Sequence, residues 1–239
     1  MTGYLRIVLV GGVLALVGWL ADPLERDCDA PPAGGVVLGG LQGAVANGFF
    51  LKGVLRWEGR DLVGAERSFA RAVAADPTKW FFWRHAARLF AFDAPRAEMR
   101  ARAAAGERIG EAEMREMRKR HAERALAWLH AAERVHPADP RVEIERGMIL
   151  LHALEDRRAA ADAFGRAWEA PGGPLFAARL RGALLAEAGE TAAAHAWYGR
   201  WLQGLDPAAR AEQAAIVLPR LRELEERLGI PPERRLLLP

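Results

Sequence analysis

The chain has 239 residues, 51% hydrophobic and 27% charged, with a formal net charge of +3 and an isoelectric point near 9.5. That length and apolar content suit one or two domains with a packed core and exclude a disordered tether. A single cysteine, Cys28, excludes an internal disulfide framework and a multi-cysteine metal site. The mild positive charge comes without a nucleic-acid-reading motif, so no nucleic-acid partner is expected. The cations are nearly all arginine, alanine is abundant, and Ser68 and Asn47 are alone of their kinds, a bias typical of a GC-rich genome.

The first predicted element is a membrane anchor within residues 1–29. Ile7 to Ala21 carries no charge; counted from Tyr4, with Arg6 snorkelling, the run spans roughly 27 Å as a helix, close to the thickness of a bilayer core. The alternative is a cleaved signal peptide, although Trp19-Leu20-Ala21 offers a poor cleavage site, and Glu25-Arg26-Asp27 before Cys28 is no lipoprotein box. Arg6 on one side, and Asp22, Glu25, Asp27 and Asp29 on the other, favour an N-terminus inside and a body outside. A Pro/Gly stretch from Ala30 to Gly35 then reads as a linker, residues 30–38.

Residues 39–206 carry helical periodicity and self-similarity near a spacing of about 34 residues, the helix-turn-helix repeat in which small residues mark close crossings and an aromatic fills the space beside them. Gly35, Gly39 and Gly43 recur every fourth residue: either the packing face of the first repeat helix, or part of a second membrane-embedded segment from Val36 to Leu51. The second possibility makes a hairpin and moves the body to the cytoplasm. One unit then has Gly59 at the turn, Ala65 and Ala72 at the crossings, Phe69 as the plug and Asp76-Pro77 at the end. Trp80 to about Phe92 starts the next unit. A charged insert, about residues 94–121, interrupts it before its partner helix resumes with Ala125, Leu129 and Ala132. Glu111/Arg115 and Glu116/Arg120 predict a helical insert, read as a surface extension or a partner-contact arm. Gly147, Leu150, Ala160, Phe164 and Ala167 form a third unit; Gly182, Leu185, Gly189, Ala194 and Tyr198 form a fourth. Asp139-Pro140 and Asp206-Pro207 place a capping carboxylate before a proline, as a helix start requires. Residues 207–230 form a capping helix with Val217, Leu221, Leu224 and Leu228 on its apolar face and a kink expected at Pro219; the tail, residues 231–239, is expected to be loosely held.

Gly39 to Gly43 with Trp57, the cluster Trp80-Phe81-Phe82-Trp83, and the string from Ala160 through Pro171, Pro174 and Arg179 to Gly189 resemble a largely uncharacterised group of bacterial membrane-anchored tetratricopeptide-like (TPR-like) proteins. The resemblance implies an all-α, right-handed α-solenoid of TPR-like helix-turn-helix repeats with an N-terminal transmembrane helix. It also implies single-pass insertion in a bacterial inner membrane with a periplasmic body. It brings no catalytic residue, and proteins of this kind bind partners during complex assembly.

Nucleophilic catalysis needs a hydroxyl or thiol beside a base, and Ser68 and Cys28 have no such setting in the sequence. The six histidines form no HExxH and no i,i+4 pair. No Walker A, GxGxxG or CxxCH sequence is present, so no enzyme activity, cofactor, metal or small-molecule substrate is expected. Transferring the repeat's inward positions selects Phe49, Arg56, Trp57, Phe81, Arg84, Arg88, Phe92, Met148, His152, Phe176 and Arg179 as a partner-binding groove, some of which fall between helices instead. A partner's acidic or C-terminal segment is expected near Arg84, Arg88 and Arg179. The resulting expectation is a membrane-tethered protein-interaction scaffold or assembly factor, the alternative being a stoichiometric structural subunit of a larger membrane complex.

Overall fold

The computed structural model describes residues 41–236, and among them the fold is all-α, with helices packing on chain neighbours within each of two units. The anchor run Ile7–Ala21, the linker, Cys28, Gly35 and Gly39 lie outside the described residues. Among those described, no helix is long and apolar enough to cross a membrane. The chain divides into two compact units, Met1–His136 and Pro137–Pro239.

The first unit contains α1 (Gln42–Glu58), α2 (Leu62–Ala75), α3 (Trp80–Arg88), a π-helical turn (Leu89–Asp93), α4 (Ala94–Ala104) and α5 (Glu111–Val135). Asp61 caps α2 by accepting from the Gly64 amide at 2.8 Å. Ala65, Phe69 and Ala72 are fully buried, and the Phe69 ring lies where a Cβ on Gly53 of α1 would sit, 2.6 Å away. Glycine is therefore what lets α1 and α2 approach each other.

The insert differs from its expected form. The helix opened by Trp80 does not stop near Phe92; it widens into the π turn and continues as α4. Pro95 is the second residue of α4, directly after the π turn. The partner helix begins at Glu111, inside the predicted insert, because Met117, His121, Ala122, Ala125, Trp128 and Leu129 form one buried register along α5. Trp83 and Phe90 pack on Trp128 with ring centroids 5.9 Å and 6.4 Å away. Glu98 of α4 accepts from Arg120 at 2.8 Å and lies 2.8 Å from His121 Nε2, which ties α4 to α5.

The second unit contains α6 (Pro140–His152), α7 (Arg157–Glu169), α8 (Leu175–Glu187), α9 (Thr191–Gln203), α10 (Pro207–Arg227) and a 3-10 turn (Pro232–Arg234). Asp139, Asp156 and Asp206 cap α6, α7 and α10, with Pro140 and Pro207 at the first helical positions. Phe164 of α7 sits against Gly147 of α6, and Tyr198 of α9 against Gly182 of α8, with ideal Cβ distances of 2.9 Å and 2.4 Å. The residue just before the second helix's N-cap is left-handed in all three pairs: Arg60 (φ 65°), Glu155 (φ 56°) and Gly189 (φ 84°).

The tail is held more firmly than its sequence predicts, as far as Leu236. It folds back so that the Leu236 amide donates to Glu225 Oε1 at 2.8 Å, while Arg222 donates to both Glu225 (2.6 Å) and the Leu236 carbonyl (3.2 Å). Glu225 is fully buried, and the Leu236 side chain packs on Gly199.

Candidate partner-binding cleft

One face of α8 carries Phe176, Arg179, Leu180 and Ala183 at i, i+3, i+4 and i+7, so all four point the same way. Opposite them, α10 presents Ile216, Val217, Pro219 and Arg220, and Tyr198 of α9 forms part of the floor. Together they enclose an open cleft of about 510 Å³. Tyr198 and Val217 are buried at 1% and 4%, whereas Phe176 and Ile216 leave 41% and 53% of their surface to solvent. The cleft is thus an apolar trough with two large side chains on its walls.

Its charged groups are arginines, one on each wall. Arg179 Nη1 donates to Oε1 of the buried Gln213, which fixes its guanidinium and leaves further N–H groups to donate. Arg220 lies 4.0 Å from Glu187, a loose pair in which both side chains are more than 40% exposed. Tyr198 donates its hydroxyl to the Arg179 carbonyl at 3.2 Å. Burial pushes the Tyr198 phenol above its usual pKa, against the opposing charge and hydrogen bond of Arg220. No carboxylate is among the described residues that line the cleft.

The residues predicted from the sequence divide between the two units. In the first, Phe81 is 55% exposed and lines, with Arg84, His85, Arg88, Leu89 and Asp93, a smaller depression of about 200 Å³. Burial lowers the His85 pKa, against the charge of Asp93. Arg88 stacks over Phe92 at 5.9 Å, and Trp57 is half-buried. Phe49 and Arg56 are given over to packing. Phe49 is buried at 6% beneath Arg71, and Arg56 donates to the Gly64 carbonyl at 3.1 Å and to Ser68 Oγ at 3.3 Å. A Cβ at Gly43 would meet no described residue within 4 Å. In the second unit, Phe176 and Arg179 enter the cleft, Met148 packs on the core, and His152 is exposed.

Sequence reasoning missed Ile216 and Arg220, which complete the cleft. A signal existed: Ile216 is an apolar residue off the buried Val217–Leu221–Leu224 register, and Arg220 lies at i+4 from it on the same face. Among the described residues no group of three or more His, Cys, Asp or Glu is placed to hold a metal ion. No protein-family model matches the chain, and no curated protein matches it.

Proposed function

We propose that the chain is a membrane-tethered scaffold or assembly factor whose helical body captures a segment of a protein partner. In this reading the body is a right-handed solenoid of TPR-like repeats, akin to the uncharacterised bacterial group that the sequence resembles. The anchor Ile7–Ala21 crosses an inner membrane once, and the body lies outside the cytoplasm. Three helix pairs that share a glycine, an aromatic plug and a left-handed turn support the repeat reading. The observation that carries the function is the cleft between α8 and α10, where exposed Phe176 and Ile216 flank two arginines. Large apolar side chains with arginine are the combination that dominates protein-interface energies.

The test is a benzophenone amino acid in place of Ile216, irradiated in native membranes. A discrete crosslinked protein partner is expected; crosslinks to lipid or solvent only would overturn the assignment. A second reading, a permanent structural subunit, draws on α1 and the residue before it, where Leu41, Leu51 and Leu55 are 67%, 55% and 59% exposed along one side. Under that reading the detergent-solubilised protein always migrates in one large assembly; under the first it is recovered largely alone.

A further inference from the structure

We infer that the cleft between α8 and α10 takes an internal acidic segment with one large apolar side chain between carboxylates, and that Arg220 is the residue that selects for the acid. This rests on the scaffold reading and adds the chemistry of the captured segment. The trough has room for an aromatic or branched side chain, and Tyr198 and Val217 give it a dry floor. The guanidiniums stand on opposite walls, Arg179 from α8 and Arg220 from α10, with no carboxylate in the lining among the described residues. A single terminal carboxylate satisfies one wall. An acid on each side of an apolar anchor satisfies both, with charge-assisted and often bidentate hydrogen bonds.

The two arginines differ in readiness. Arg179 is already oriented by the buried Gln213, so it is a preformed donor. Arg220, among the described residues, makes the loose 4.0 Å contact with Glu187, beside the hydroxyl of Tyr198. Exchanging Glu187 for an incoming carboxylate therefore gives up little, and discrimination between acidic and neutral partners falls chiefly on Arg220. Like charges brought to this rim are repelled, which adds rejection of basic segments.

The test uses the purified full chain in detergent and fluorescent nine-residue peptides capped at both ends, each with a central phenylalanine. The flanking residues are glutamate, glutamine or lysine; a further peptide ends in phenylalanine with a free carboxylate and no flanking acid. The glutamate peptide is expected to bind about tenfold or more tightly than the glutamine peptide, and the lysine peptide least. Arg220→Ala should erase most of that preference with melting unchanged. Arg220→Glu should reverse it toward lysine, an outcome that a folding defect does not produce. Binding that ignores flanking charge, absence of binding by every peptide, or a free-acid peptide equal to the glutamate peptide would each overturn the inference. The benzophenone experiment at Ile216 separates the two ideas. A trapped protein together with charge-blind peptides keeps the scaffold and removes the acidic segment; charge-selective peptides with no trapped protein do the reverse.

Discussion

The two units begin from the same construction and then diverge. In the second, α6, α7, α8 and α9 are each 13 residues long, and each pair closes through an aromatic ring set against a glycine. In the first, α1 and α2 close the same way, but the chain then runs through helices of 9, 11 and 25 residues and a π turn. There α4 is tied to α5 by Glu98, Arg120 and His121. The regular pairs depend on volume, whereas the tie between α4 and α5, beside the aromatic packing on Trp128, adds a contact that depends on charge. Substitutions of size should therefore damage the first kind of region, and acid or salt the second.

The largest expected effect is on volume. A Cβ at Gly182 would already lie 2.4 Å from the Tyr198 ring, so Gly182→Leu must displace that ring and lose its hydrogen bond to the Arg179 carbonyl. A loss of about 3 kcal/mol or more is expected in denaturant unfolding, with the cleft floor disrupted as well. Alanine at the three positions should grade with distance, Gly182 worst, then Gly53 (2.6 Å), then Gly147 (2.9 Å). Equal and small effects at all three would break the claim that one close approach builds every pair.

Charge comes next, and it also divides the second unit from within. Burial alone would raise the Glu225 pKa, but the hydrogen bonds of Arg222 and the Leu236 amide, with the charges of Arg222 and His195, bring it below its ordinary value. A carboxyl lowered on folding contributes stability that is present above its unfolded pKa and is lost as pH falls through the folded one. Glu225→Gln should cost about 1 to 3 kcal/mol at neutral pH, flatten the acid limb of the stability curve, and speed amide exchange over residues 230–236. Unchanged exchange in that stretch would show that the tail is held by Leu236 packing alone.

Glu98 in the first unit shifts with the same sign. Its burial is outweighed by hydrogen bonds from His121 and Arg120, so its pKa is also lowered and acid loosens α4 from α5. Here Arg120 is 60% exposed and Glu98 27%, so solvent screens the contact. Glu98→Gln is expected to cost no more than about 1 kcal/mol, and added salt should shrink that difference. A salt-independent loss as large as that of Glu225→Gln would erase the distinction between the two sites.

Sequence patterns make the regular parts legible because their signals are local. Asp139-Pro140 and Asp206-Pro207 mark helix starts within two residues, and Ala65, Phe69 and Ala72 lie on one buried face of α2. The glycine that receives Phe69 is not legible in this way: Gly59 in the turn stands out, while Gly53 does the packing from a different helix. The same limit hides the Glu225–Leu236 contact, a pairing of a helix with a tail whose composition signals no partner. It hides the cleft as well, because Arg220 and Phe176 come together only when α8 and α10 do. The insert misleads for another reason. Its charged residues suggest a solvated surface, yet Met117 and His121 carry the buried register of α5 through them.

The smallest expected effect tests whether the three turns are equivalent. Arg60, Glu155 and Gly189 hold the same left-handed place before the second helix's N-cap, yet only one of them is glycine. For a side chain with a Cβ this conformation costs roughly 1 to 2 kcal/mol, which glycine escapes, while glycine in turn loses more chain entropy on folding. The two terms oppose each other, so Arg60→Gly should stabilise the first unit by only about 0.5 kcal/mol. Gly189→Ala adds strain that alanine's lower unfolded-state entropy offsets only in part, and should destabilise the second unit by about 1 kcal/mol. Both are read from denaturant midpoints at constant m-value. Opposite signs in the two units would show one turn geometry serving both. A loss on Arg60→Gly would show that the Arg60 side chain holds its turn by contacts that glycine cannot replace.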